Sequence, residues 1–164
     1  MNEGNGSFSK KENVIPELAL NGSCVVAADF NSDGFQDLFV GSRSITGSYG
    51  TAPESVVLLN EGGKSFKNAS KEVFSGFNKL GMVTDAAWTD FDGDGLVDLV
   101  IVGEWMPITV FKQTAGKFEN ATAQFGLENT GGWWNRIAQG DLDNDGDPDF
   151  ILGNLGLNYK YSAS

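Results

Sequence analysis

Three nine-residue windows concentrate the carboxylates of this 164-residue chain. In the window 90–98, Asp90, Asp92, Asp94 and Asp98 stand at positions 1, 3, 5 and 9, with Gly95 at position 6. Upstream, Asp29, Asn31, Asp33 and Asp37 hold the same positions around Gly34; downstream, Asp141, Asp143, Asp145 and Asp149 hold them around Gly146. Only Asp85, of 13 aspartates, falls outside the windows. Hard cations take oxygen ligands, and Ca²⁺ gathers six to eight of them at about 2.4 Å. Aspartates alternating along a tight turn supply such a set, and the main-chain carbonyl at position 7 (Phe35, Leu96, Asp147) adds one more oxygen. The glycine at position 6 permits the positive φ that folds a loop back on an ion. The expectation is three Ca²⁺ sites of structural character. With Asn31 replacing an aspartate, the first is expected to bind more weakly than the other two.

An EF-hand reading fails on chemistry. That loop needs an acidic residue at position 12, where this chain has Val40, Ile101 and Leu152, and it needs flanking helices. The flanks here are short apolar runs rich in β-branched and aromatic residues, which read as strands.

The elements that must carry the loops repeat with them. Strands are expected before each loop (Val25–Phe30, Val83–Asp90, Arg136–Leu142) and after it (Asp37–Gly41, Asp98–Gly103, Asp149–Gly153), the latter buried on both faces. A third strand (Ser55–Asn60, Pro107–Lys112) and a hairpin turn lead to a fourth strand marked by Phe66 or Phe118. Phe8 opens the chain on the same signature. The three Phe residues precede the next loop by 21, 24 and 23 residues, so two motifs keep register. Four strands per 50–60 residues is the arithmetic of a propeller blade. The expected fold is all-β, with four-stranded antiparallel blades numbering about two and a half to three. Residues 1–22 would be the last strand of a preceding blade and a linker; 23–70 and 71–122 would be blades, and 123–164 an incomplete one. Because a closed ring takes at least about four blades, the segment is expected to belong to a larger propeller or to complete itself by association through open sheet edges. Ser42–Gly50 reads as a flexible surface insertion.

These loops, their Phe/Val/Leu-rich following strands and the Gly116-Lys117-Phe118-Glu119-Asn120-Ala121-Thr122 hairpin resemble the FG-GAP/VCBS repeat family, whose calcium-loop blades also build the head of integrin α-subunits. The run Gly132-Trp133-Trp134-Asn135-Arg136, followed by Gly153-Asn154-Leu155-Gly156, is similar to its bacterial and cartilage-acidic-protein branch. The resemblance implies a β-propeller, calcium in the loop joining the first two strands of a blade, and an extracellular, periplasmic or cell-surface location. Residues 1–6 contain no apolar core of a signal peptide.

Composition narrows the function classes. The formal charge is −11, but three divalent cations would bring it to −5, an ordinary surface value. Nucleic-acid binding is not expected, nor is membrane insertion, since no apolar run approaches a membrane span. The chain has no histidine, which removes Ser-His, Cys-His and His-metal catalysis together. Cys24 sits in an apolar run and reads as a packed thiol. A carboxylate pair, Glu104 and Glu128, is the remaining catalytic combination, and catalysis is not expected. The leading reading is protein recognition, adhesion or scaffolding. The alternatives are a carbohydrate-binding or carbohydrate-processing propeller, with Trp105, Trp133 and Trp134 as a stacking platform, and a self-assembling segment. Because neighbouring strand residues face opposite ways, one of Trp133 and Trp134 is expected in the core and the other outside.

Overall fold

The computed structural model describes residues 1–74 and 79–156. Residues 75–78 of the expected second blade and 157–164 of the third lie outside them. The chain forms antiparallel sheets, with one short helix, α1 (Ser70–Val73), among the described residues. A hairpin of β1 (Asn2–Gly4) and β2 (Ser7–Phe8) opens it, and Phe8 is 76% exposed there, unlike the buried Phe118 it parallels.

The first blade is a four-stranded sheet in simple sequence order: β3 (Gly22–Ala28), β4 (Asp37–Ser42), β5 (Val56–Asn60) and β6 (Phe66–Asn68). The second repeats it with β7 (Met82–Thr89), β8 (Asp98–Met106), β9 (Thr109–Thr114) and β10 (Lys117–Asn120). The third contributes the pair β11 (Gly132–Gly140) and β12 (Asp149–Asn154). The long end of β8 also pairs with the start of β11, Gly132 opposite Met106 and Trp133 opposite Glu104, so the second and third blades share one hydrogen-bonded sheet. Among the described residues this partial propeller contains no closed barrel.

Every first strand carries an irregularity at the same place. Register shifts fall between Gly22 and Cys24, Val83 and Asp85, and Trp134 and Arg136. The extra residue, Ser23, Thr84 or Asn135, bends the strand and re-aims a side chain. Ser23 Oγ donates to Val83 O of the second blade (2.6 Å), and Thr84 Oγ1 donates to Trp134 O of the third (2.8 Å). Return bonds run backwards: Trp88 Nε1 to Val26 O (3.2 Å) and Gln139 Nε2 to Trp88 O (3.5 Å). Neighbouring inner strands are thus tied in both directions.

The apolar core fills the wedges between blades. Phe30, Phe39 and Val57 of the first blade pack with Trp88, Leu99, Ile101, Phe111 and Phe118 of the second. Phe30 stacks on Trp88 at 5.7 Å between ring centroids and meets Phe118 edge-on at 5.3 Å. Between the second and third blades, Val100, Val102 and Val110 pack against Phe91, Ile137, Phe150 and Leu152. The strand after the loop is buried on both faces in β8, as expected. It is not so in β12, where Ile151 is 60% exposed. Both wedges between consecutive blades are filled; the outward surface of β12 has no neighbouring blade among the described residues.

The 42–50 segment, expected to be a flexible insertion, is anchored. Arg43 and Tyr49 both reach the carboxylate of Glu104 in β8, Tyr49 Oη at 2.7 Å, and Asn21 Nδ2 holds Ser44 O and Thr46 Oγ1, each at 3.1 Å. Glu104 is 1% exposed, so these partners stabilise a charge that burial would otherwise penalise. Cys24 is half-buried, and burial pushes its thiol up to about 11.

Candidate metal centres in the three loops

The three loops join the first and second strands of their blades, with the second and third side by side. A groove lined by Asp90, Asp92, Asp147 and Asp149 runs between those two. Each loop is shaped by its own position-1 carboxylate. Asp90 Oδ1 accepts the amides of Gly93 and Asp94, and its Oδ2 that of Gly95 (2.8, 3.1 and 2.9 Å). Asp29 and Asp141 bind the amides at positions 5 and 6 of their own loops in the same way. Position 5 then accepts the amide of position 7: Phe35 N to Asp33, Leu96 N to Asp94 and Asp147 N to Asp145, at 2.9–3.1 Å. Two residues per loop take a left-handed backbone. Position 6 is glycine, with φ of 88°, 84° and 99° at Gly34, Gly95 and Gly146. Position 4 does the same with Ser32, Gly93 and Asn144 (φ 59°, 75° and 64°), residue types that differ enough to hide the requirement in sequence.

The position-9 aspartate ties the loop to the sheet. Asp98 is fully buried; its Oδ1 accepts the amide of Gln113 in β9 (2.7 Å) and its Oδ2 that of Phe91 (3.1 Å). Asp37 is equally buried and accepts the amide of Asn60 in β5 (2.8 Å) through Oδ1, while its Oδ2 has no hydrogen-bond partner. Asp149, only half-buried, accepts the amide of Leu142 (2.8 Å). Burial pushes the Asp37 carboxyl up to about 6, against the lowering pull of the Asn60 amide. Burial also raises Asp98 above the usual carboxylate range, with Gln113 and Phe91 pulling the other way. Asp147 is raised by the neighbouring Asp145 carboxylate.

The donor chemistry fits a hard divalent cation. Carboxylate oxygens of Asp90, Asp92 and Asp98 lie within 4.8 Å of one another, and so do those of Asp141, Asp143 and Asp149. These are positions 1, 3 and 9 of the second and third loops. In the first loop Asn31 holds position 3, its Oδ1 accepting the amide of Asp33 (3.0 Å) and its Nδ2 donating to Asp33 Oδ2 (2.9 Å). Asp37 Oδ2 is buried there without a hydrogen-bond partner, although the Phe30 amide also pulls its carboxyl down. Asp94 and Asp145 at position 5, and the position-7 residues Phe35, Leu96 and Asp147, line the same turns.

Sequence reasoning missed Lys112. Its ammonium bridges Asp92 and Asp94, at 2.9 Å from Asp94 Oδ2, and holds the Asp94 carboxyl below its usual range. Lys112 pairs with Glu119 across the β9–β10 hairpin and holds the place that Leu59, paired with Lys67, has in the first blade. A lysine where the repeat elsewhere has leucine was the available signal.

Trp133 and Trp134 are both half-buried, so the expected split into one core and one outer tryptophan is not seen. Trp134 packs on the second wedge, and its Nε1 donates to Thr130 O (2.9 Å). Trp105 is 40% exposed with φ of 58°, and meets Trp133 edge-on at 5.1 Å. The three indoles therefore do not form one platform. Glu104, one half of the catalytic carboxylate combination, is the buried partner of Arg43 and Tyr49, while Glu128 is exposed.

The model of the FG-GAP-like repeat family matches residues 1–40 and 90–152, more than half the chain, and the matched segments contain all three loops. No curated protein matches. Three aspartate turns, each joining the first two strands of a sheet wedged against its neighbour, are the form that family match takes here, and the chain belongs to the FG-GAP-like repeat family.

Proposed function

We propose that the chain is a calcium-binding propeller segment of an exported or surface protein, in which bound ions hold the inter-strand turns so that the blades present a rigid surface for protein recognition or adhesion. The observation that carries this reading is the convergence of the position-1, -3 and -9 carboxylates within 4.8 Å in the second and third loops. Side chains at positions 1, 3, 5 and 9, with the carbonyls of Phe35, Leu96 and Asp147, would hold the ions. The ion supplies positive charge where aspartates otherwise repel one another, so binding and folding are linked. At a hundredfold excess over Kd each site would contribute about 2.7 kcal/mol, raising the melting temperature by about 5–10 °C per site. Melting in EDTA and in millimolar Ca²⁺ tests this: the expected outcome is a lower melting temperature in chelator, restored by Ca²⁺. A melt indifferent to both contradicts it.

A carbohydrate-binding reading is favoured by one observation, the half-exposed Trp105 held in a left-handed backbone beside Trp133. Aromatic faces stack on sugar rings, and a strained exposed residue marks a place where shape is kept for a purpose. A glycan array with Trp105→Ala as control separates the readings. Sugar binding lost in the variant supports the carbohydrate reading, and silence leaves protein recognition.

A further inference from the structure

Gln113 of β9 is 3% exposed and reaches two of the loops at once. Its main-chain amide donates to Asp98 Oδ1, the position-9 carboxylate of the second loop (2.7 Å). Its side-chain amide donates to Val97 O, the position-8 carbonyl of that loop, at 2.9 Å. The same nitrogen donates to Phe30 O, the position-2 carbonyl of the first loop, at 3.1 Å. A primary amide carries two N–H donors, and each is directed here at a different loop. The nitrogen must face both carbonyls, since the amide oxygen in its place would meet two acceptors.

Asn60 holds the same place in the first blade. It stands opposite Phe66 as Gln113 stands opposite Phe118. Its main-chain amide donates to Asp37 Oδ1 (2.8 Å), and its side-chain amide to Gln36 O, again the position-8 carbonyl (2.9 Å). The tie of the third strand to its own loop is therefore common to both blades. Glutamine is one methylene longer than asparagine, and that length carries the second bond across the blade junction to Phe30.

Both sides of that junction are built by this chain. Phe30 is 4% exposed, stacks on Trp88 and meets Phe118 edge-on, so the bond to its carbonyl lies within the packed wedge. It directly follows Asp29, the position-1 ligand proposed for the first ion, whose carboxylate accepts the amides of Asp33 and Gly34. The second and third loops meet differently. There Phe91 stacks on Phe150 at 5.6 Å between ring centroids, a contact with no directional bond.

We infer that Gln113 is a positioning residue that couples the first two metal sites, so that an ion held in either loop favours binding in the other. The inference rests on the calcium reading above. When the second loop is closed on its ion, Val97 O and Asp98 Oδ1 fix the side chain and main chain of Gln113. The first loop then closes against a donor already in place and loses less conformational freedom in doing so. The effect is reciprocal: the factor the second site gains from the first, the first gains from the second.

Calorimetric Ca²⁺ binding to the whole chain, with the third loop disabled by Asp141→Ala, reads the coupling in physiological salt, which screens the ions from each other. The chain with both remaining loops intact is compared with one whose second loop is disabled by Asp90→Ala and one whose first is disabled by Asp29→Ala. The coupling factor is the product of the binding constants of the intact pair over the product of the single-loop constants. The expected factor is about threefold to tenfold, the worth of one hydrogen bond, and it should fall to about one in Gln113→Asn. That substitution keeps the Asn60 arrangement within the second blade and gives up the reach to Phe30. A role in stability alone would change the individual constants and leave their ratio. Gln113→Met, of similar length and without donors, is expected to lose the factor as well, and circular dichroism checks that each variant is folded. A factor of about one in the unsubstituted chain, or a factor that survives in either folded variant, overturns the coupling while leaving the calcium reading intact. Loops that bind no Ca²⁺ in folded protein overturn both.

Discussion

The second and third loops share their ligand pattern but rest on different ground. The second stands on a sheet buried on both faces: Val100 is 2% exposed, Asp98 is sealed beneath the loop, and Lys112 reaches across from β9 to Asp92 and Asp94. The third stands on β12, where Ile151 is 60% exposed at Val100's position and Asp149 is half-buried. The difference teaches that the loop sequence specifies the turn, while the neighbouring strands decide how far that turn is built into the fold. The second loop is anchored in the core through Asp98 and Phe91 although its residues 92–96 are exposed, whereas the third is held chiefly by the hydrogen bonds of its own aspartates.

The largest effect expected from that contrast is on stability. In chelator, where no ion contributes, Asp98→Ala would leave the buried amides of Gln113 and Phe91 without their acceptor, at a cost of about 2–4 kcal/mol. Asp149→Ala would free one amide with access to water and cost about 1 kcal/mol. Urea unfolding of the two variants measures both, and equal losses would erase the distinction.

A smaller effect concerns the ion itself. The first loop brings three aspartates, the second four offset by the Lys112 ammonium, and the third five, counting Asp147. That revises the sequence expectation that the first loop binds more weakly than the other two: with Lys112 counted, the first and second loops carry the same net charge, and the third carries the most. Lys112→Gln should tighten Ca²⁺ at the second loop by about threefold to tenfold, since it removes a positive charge that competes with the ion for Asp92 and Asp94. Titration of a variant whose first and third loops are disabled by Asp29→Ala and Asp141→Ala reads this directly. An unchanged or weaker affinity would show that the ammonium does not oppose the ion.

The smallest effect is the response to pH and salt. In the metal-free protein Asp98 is raised by burial and Asp147 by the charge of Asp145. A carboxyl raised in the folded state contributes stability that is fully present below its unfolded value, about 3.8, and lost as pH rises through the folded value. Asp37, at about 6, places much of that loss between pH 4 and 7. The chelated protein should therefore gain stability on acidification from pH 7 to pH 5, whereas the Ca²⁺-loaded protein should lose it as protons displace the ion. Added salt screens the exposed Asp147–Asp145 repulsion and leaves the burial at Asp98 untouched. Urea midpoints at two pH values and two salt concentrations resolve these contributions.

The loops and strand order were legible because they depend on local chemistry: alternating aspartates, a glycine at position 6, short apolar runs and a Phe hairpin in phase. Boundaries moved by a few residues, as with β8, which runs on to Met106 because its end pairs with β11. What stayed hidden depends on neighbours. The left-handed backbone at position 4 is filled by Ser, Gly and Asn and shows no repeated residue. Lys112 lies 14 residues after Asp98, and only the β8–β9 register brings it over the loop. The anchoring of Arg43 and Tyr49 on Glu104 spans more than fifty residues of sequence. Burial of the third blade was over-read, because an apolar strand has the same pattern whether or not another sheet covers it.

Calorimetric titration of chelator-stripped protein with Ca²⁺ bears most directly on the account. It predicts saturable binding at three sites, the tightest lost in Asp141→Ala and the first and second weaker. An absence of saturable heat, in protein shown by circular dichroism to be folded, would contradict it.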